Sequence, residues 1–156
     1  MAQQLTAASL SDLDDLVALE AATFSYSQLG RRSFRRFLTS ASTHLFVMRD
    51  TDNAQLVGYS LLLTRKNSRI WRLYSIAVAA AARGTGVGRK LLEHALNYAR
   101  EQGAEAVSLE VKVDNKAAID LYRRYDFEVT ELLPDYYPGH ADGYRMRLSF
   151  AQSSEA

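Results

Sequence analysis

The chain has 156 residues, 47% hydrophobic and 24% charged, with a formal net charge of +1 and no cysteine. That is length enough for a core without staples, and it excludes disulfides, thiolate metal sites, a cysteine nucleophile and a globally basic nucleic-acid binder. No apolar run approaches the roughly 18 residues of a membrane span, and "MAQQLTAASL" has neither the basic start nor the apolar core of a signal peptide. The expectation is one cytoplasmic domain over residues 1–156, its core over about 5–150 and its tail "AQSSEA" frayed.

Ser11-Asp12-Leu13-Asp14 has the spacing of a capping box, and Leu13, Leu16, Val17, Ala21 and Phe24 follow at helical intervals. A first helix is predicted from about Ser11 to Phe24. In "SQLGRRSFRRFLTS", Phe34, Phe37 and Leu38 form an apolar stripe ringed by Arg31, Arg32, Arg35 and Arg36, a short basic amphipathic helix. Those arginines either steer an acidic acceptor or form a solvated face. "THLFVMRD" and "AQLVGYSLLLTRK" flank the turn signal Thr51-Asp52-Asn53 and predict a hairpin. "IWRLYSIAV" reads as a third consecutive strand.

A helix with Val87, Leu91, Leu92, Ala95 and Ala99 on one face follows, ended by Gly103. "AVSLEVKV" is another strand, and Asp114 or Asn115 caps a helix bearing Ala118, Ile119, Leu121 and Tyr122. "DFEVTELL" and "GYRMRLSF" alternate as strands joined by the loop "PDYYPGHADG". The predicted order is α-α-β-β-β-α-β-α-β-β, a mixed, mostly antiparallel α/β sheet with helices on both faces and one β-α-β crossover.

The crossover helix opens with Arg83-Gly84-Thr85-Gly86-Val87-Gly88-Arg89. Alternate glycines let a phosphate approach the main chain, and the free amides and dipole of a helix start favour an anion. A turn without a ligand would use glycine too, but not three between two arginines. The nucleotide P-loop needs Lys-Ser/Thr after its last glycine, and here Arg89 and Lys90 stand there; the dinucleotide fingerprint needs Gly-x-Gly-x-x-Gly in the first βα unit. Neither fits.

The loop instead resembles the acetyl-CoA loop of the GNAT superfamily of N-acetyltransferases, Gln/Arg-x-x-Gly-x-Gly/Ala, with Arg83, Gly86 and Gly88 in its three places. "LEVKVDNKAAIDLYRRYDF" is similar to that superfamily's second signature, especially in the branch that acetylates protein N-termini and the alanine of ribosomal proteins, and "DYYPG" is similar to a loop of that branch. Asp126 departs from the glycine usual before Phe127 and is expected to alter the turn there. The resemblance spans about Leu13 to Leu148 and implies the GNAT fold. It implies acetyl-CoA as donor, bound by Ile76, Ala77, Val78, Arg83, Gly84, Thr85, Gly86, Val87, Gly88, Arg89, Asn115 and Tyr122.

It also implies roles. Tyr122 is the candidate acid, since a phenol of pKa about 10 is protonated at neutral pH; a core tyrosine is the alternative. Glu110 interrupts the apolar strand "VSLEV" and is the candidate base, 12 residues before Tyr122, or else a carboxylate on the solvent face. Asn115 bonds the pantetheine arm or simply caps its helix. Tyr136 and Tyr137 close over a peptide or pack on the sheet. Without cysteine, direct transfer is favoured over a ping-pong route. His44, His94 and His140 lack metal-ligand spacing, so no metal is expected. The acceptor implied is a protein or peptide α-amine; a small amine is the alternative, and a CoA-binding sensor without catalysis is a third reading. The partners expected exclude nucleic acid and membrane, with the chain a monomer or homodimer.

Overall fold

The structure is a computed structural model, and it describes residues 2–24 and 29–150. Strands β1 (Gln3–Ala7), β2 (Thr43–Asp50), β3 (Leu56–Leu63), β4 (Ile70–Val78), β5 (Ala106–Lys112), β6 (Glu128–Tyr137) and β7 (Ala141–Ser149) line up in the order β1-β2-β3-β4-β5-β7-β6. The helices are α1 (Leu13–Thr23), α2 (Arg31–Thr39), α3 (Val87–Glu101) and α4 (Lys116–Arg124). β4 and β5 run parallel, whereas β1–β2, β2–β3, β5–β7 and β6–β7 run antiparallel. The expected mixed sheet with one crossover is therefore present.

The chain divides into two compact units. The first comprises residues 1–63 and 74–95. In it Leu13, Leu16, Leu19 and Phe34 of α1 and α2 bury against Leu45, Val47, Tyr59 and Leu61. The alternate positions of β2 and β3 face the other way, because Phe46 meets His94 edge-on at 4.6 Å. Gly58 lets α3 come close there: a Cβ on it would lie 2.8 Å from Leu91 and 2.9 Å from the Ala77 carbonyl.

The second unit comprises residues 64–73 and 96–156, of which 151–156 lie outside the described residues. Its interior holds Trp71, Leu109, Val111, Ile119, Phe127, Leu133 and Met146. Trp71 meets Tyr98 edge-on at 6.0 Å, and Tyr122 lies 5.6 Å from Phe127.

Four local expectations need correction. The first strand, "QQLTA", was not foreseen; it is short and mostly polar, and only its antiparallel pairing with β2 makes it a strand. The carboxylate cap lies two residues earlier than expected, where Asp12 accepts the Ser9 N–H at 2.8 Å and a 3-10 turn over Leu10–Asp12 precedes α1. The long loop is mostly strand: β6 runs through Pro134 to Tyr137. Proline is tolerated there because β6 is an edge strand and the ladder slips between Leu133 and Tyr137.

Asp126 does not alter its turn. It takes the left-handed conformation itself, at φ 70°. The Asp126 N–H bonds the Arg123 carbonyl at 3.0 Å and the Phe127 N–H bonds the Tyr122 carbonyl at 3.1 Å, the pair of bonds by which a glycine commonly closes a helix. Aspartate tolerates that geometry better than most side chains, but at a cost. Asp126→Gly is therefore expected to raise unfolding stability by about 0.5–1 kcal/mol, the strain relieved exceeding the added unfolded-chain entropy. Urea denaturation checks this, and an unchanged or lower midpoint would show that the aspartate sits there without strain.

Candidate functional site

In the first unit β4 ends at Val78, a 3-10 turn over Ala80–Ala82 follows, and α3 begins at Val87. Between them Gly84 and Gly86 take φ of 80° and 87°, which leave no place for a side chain without strain. The Thr85 N–H and hydroxyl both turn back to the Ala82 carbonyl, the hydroxyl in a very short bond. Among the described residues no carbonyl takes up the N–H groups of Gly84, Gly86, Val87, Gly88 or Arg89. Some are the orphan donors of a helix start; the left-handed residues before it add others. A Cβ on Gly88 would already touch Val78 at 3.5 Å. Arg83 and Arg89 are exposed at either end. These donors and the two arginines could hold an anion, and in donor number, dipole and charge they fit the diphosphate of coenzyme A. Ala77 is buried, and Ile76 and Val78 are half-buried at the end of β4.

The second unit holds the carboxylate. Glu110 lies on β5 with its side chain 8% exposed. Arg72 of β4 reaches Oε1 with Nε at 2.8 Å and Nη2 at 2.5 Å, and Arg145 of β7 reaches Oε2 with Nε at 3.3 Å. Arg145 also holds the exposed Glu131 at 2.5 Å. The register explains the clamp. Glu110 is directly opposite Arg145, and Arg72 is opposite Ser108, two residues along on the same face of β5. An ionised carboxylate has about four acceptor positions, and three are used here. One remains, on Oε2.

Tyr122 lies near the end of α4, partly buried, and burial pushes its phenol up to about 12. It is thus neutral throughout the physiological range. Asn115 caps α4, its side-chain oxygen accepting the Ala118 N–H at 3.2 Å, so its carboxamide has only the NH₂ end uncommitted to the cap. The two tyrosines of β6 divide. Tyr137 packs over Gly143, where a Cβ would stand 2.8 Å from its ring, while Tyr136 is 43% exposed and meets Tyr137 edge-on at 5.0 Å.

Arg72 and Arg145 were not singled out from sequence. Arg72 interrupts "IWRLY" as Glu110 interrupts "VSLEV", and these two charges of opposite sign were the available signal. Arg145 shares its strand with Asp142 and Arg147 and so does not stand out. Of the basic residues of α2, Arg31 pairs with Asp14 at 2.6 Å. Among the described residues no cluster of three or more His, Asp or Glu side chains could hold a metal ion, and no helix is long and apolar enough to cross a membrane.

Residues 13–127 match the acetyltransferase (GNAT) family model. The N-alpha-acetyltransferase RimI of Mycobacterium tuberculosis is 37% identical over 118 residues, 74% of this chain and 72% of that protein. The mycothiol acetyltransferase of Jonesia denitrificans is 33% identical over 131 residues, 78% of this chain but 41% of that protein. The chain spans less than two thirds of most of the first curated relatives it matches. Among solved structures, the ribosomal-protein-S18-alanine N-acetyltransferase of Escherichia coli superposes with a TM-score of 0.88 at 23% identity, over 99% of both chains.

The clamp makes an energetic prediction. Arg72→Met leaves the nearly buried Glu110 with one cation and should cost about 1–3 kcal/mol, discounted from a fully buried pair because Arg72 is itself part-exposed. In the double variant Arg72→Met/Glu110→Met the losses should fall short of their sum by about 1 kcal/mol. A thermal or urea double-mutant cycle checks this, and additive losses would show that the pair carries no coupling.

Proposed function

The chain belongs to the acetyltransferase (GNAT) family, and from that premise we propose that it transfers an acetyl group from acetyl-CoA to a primary amine, specifically the N-terminal α-amine of a protein or peptide. The observation that carries the reading is the set of N–H groups of Gly84, Gly86, Val87, Gly88 and Arg89, for which no carbonyl among the described residues is a partner, at the start of α3. Acetyl-CoA supplies an acyl group already activated as a thioester. The residues that would hold it are Gly84, Thr85, Gly86, Val87, Gly88 and the guanidinium groups of Arg83 and Arg89 for the diphosphate. The main chain of Ile76, Ala77 and Val78 and the NH₂ of Asn115 would take the pantetheine arm.

The acceptor's chemistry favours the α-amine. At pH 7 an amine of pKa about 8 is roughly one-tenth neutral, whereas a lysine of pKa about 10.4 is neutral in fewer than about one molecule in a thousand. The difference is about 3 kcal/mol of deprotonation. Glu110 has one acceptor position left on Oε2, enough to take a proton through a single water, and the modest demand of an α-amine suits it. Its two arginines keep the carboxylate in one orientation while it does so. The name of the Mycobacterium tuberculosis relative agrees with this acceptor class.

Tyr122 serves as the donor toward the departing sulfur. A phenol of about 12 lies well above a thiol of about 8.5, so complete proton loss to the thiolate is uphill by about 5 kcal/mol. Tyr122 therefore stabilises the leaving group chiefly by hydrogen bonding. Tyr136, exposed on β6, is positioned to meet an acceptor, while Tyr137 braces the strand beneath it.

Two measurements test the reading. Peptides with free N-termini should be acetylated and N-formylated peptides carrying lysine should not, as followed by mass spectrometry. Acceptance of only the formylated lysine peptides, or of only small amines as the mycothiol acetyltransferase likeness allows, would overturn the α-amine assignment. Tyr122→Phe should leave acetyl-CoA affinity unchanged by calorimetry and lower kcat by about 10- to 100-fold; full turnover would remove the tyrosine from the chemistry.

A further inference from the structure

A second buried carboxyl belongs to the first unit and has no part in the mechanism above. Glu20, in the last turns of α1, is 2% exposed, and no cation pairs with it among the described residues. Its Oε2 accepts the Leu29 N–H at 2.9 Å, and its Oε1 makes a very short bond with the Tyr59 hydroxyl. Tyr59 is fully buried on β3, and its oxygen lies 2.9 Å from the Ser75 hydroxyl on β4. Ser75 is half-buried and immediately precedes Ile76-Ala77-Val78. Around this chain of bonds stand the Phe34 ring of α2, edge-on to Tyr59 at 5.7 Å, and the Tyr74 phenol of β4, near enough to influence Tyr59. Burial raises the Glu20 carboxyl above its ordinary value, against the lowering effect of its two hydrogen bonds.

The direction of these bonds depends on one proton. Oε2 is already an acceptor for Leu29, so a proton on Glu20 sits on Oε1 and is donated to Tyr59. Tyr59 then donates to Ser75, and the serine proton turns away as a donor. With Glu20 ionised, the two hydroxyl bonds reverse: Tyr59 donates to Oε1, Ser75 donates to Tyr59, and both serine lone pairs are free, where the other state leaves one lone pair and a free donor. The charge on a buried glutamate is thus read two hydrogen bonds away as the balance of donor and acceptor capacity at Ser75.

An amine that attacks an acyl carbon must aim its lone pair there, so its N–H bonds need acceptors elsewhere. We propose that Ser75 accepts an N–H of the incoming amine, and that Tyr59 and Glu20 are positioning residues that hold the serine oxygen in its accepting state. This rests on the acetyl-transfer reading. It accounts for a carboxyl buried without a cation, for its tyrosine partner, and for a serine facing them just before the segment assigned to the pantetheine arm.

The test uses the full chain and a peptide with a free N-terminus, with kcat/KM measured across pH, acetyl-CoA affinity by calorimetry, and thermal stability for each variant. Because the Glu20 carboxyl is raised, it ionises only above the ordinary carboxylate range. The wild type should therefore lose kcat/KM as pH falls through that region, beyond the loss from protonation of the amine. Ser75→Ala should lower kcat/KM about tenfold, chiefly through the peptide KM, leave acetyl-CoA affinity unchanged and abolish this low-pH limb. Ser75→Thr, which keeps the hydroxyl, should retain both. Glu20→Gln, whose amide donates to Tyr59 and fixes the direction of the protonated state, should lower kcat/KM in the same sense by a smaller factor and lose the low-pH limb, and the double variant should be no worse than Ser75→Ala.

A Ser75→Ala protein with the wild-type profile would reduce the three residues to a core brace, as would losses that multiply in the double variant. Ser75→Ala alone is decisive if Glu20→Gln fails to fold. Wild-type protein that binds acetyl-CoA and acetylates no amine overturns the acetyl-transfer reading instead, and this proposal with it.

Discussion

A carboxylate cannot leave water without compensation, and the two buried glutamates of this chain meet that constraint in opposite ways. Glu110 is held by guanidinium groups from the strands on both sides of its own. Among the described residues Glu20 has hydrogen bonds only, with a main-chain N–H and a tyrosine hydroxyl. Pairing with cations keeps a charge in place, whereas hydrogen bonding alone leaves burial as the larger influence and favours the proton. The first arrangement holds a carboxylate in one orientation with one acceptor position open. The second yields a group whose charge can change and whose neighbours must reorient when it does.

The backbone supplies the remaining fixed charge. Left-handed residues at Gly84 and Gly86 break the regular pattern of N–H pairing just before α3 and leave donors unspent. At Asp126 the same conformation has the opposite result, because it lets α4 close on itself with both terminal bonds made. Positive φ is thus not by itself a mark of a binding loop. What separates the two is whether the freed N–H groups find carbonyls within the chain.

This difference explains what was legible in the sequence. The hairpin at Thr51-Asp52-Asn53, the strand "IWRLYSIAV" and the face of α3 each follow from local periodicity and turn chemistry, and the structure has all of them. The strand "QQLTA" does not, since it depends on a partner strand about forty residues away. Nor does the extension of β6 through Pro134, which only an edge position permits. At the site, Glu110 was legible as a charge out of place in an apolar strand. Its arginines were not, because each occupies a different strand and only the register brings them to it. Glu20 was not singled out, since its partner Tyr59 is far off in the chain.

On the proposed reading, donor and acceptor would be recognised by different kinds of group. A diphosphate would be met by main-chain N–H groups, whose arrangement is written in a short run of glycines. An amine would be met by side chains, where one substitution changes donor to acceptor. That is why a superposition at 23% identity with a TM-score of 0.88 identifies the fold and leaves the acceptor open. The acceptor has to be argued from Arg72, Glu110 and Arg145 in one unit, and from Glu20, Tyr59 and Ser75 in the other. Of these six, Glu110, Glu20 and Tyr59 have buried side chains, and each would be costly to bury without the partners it has.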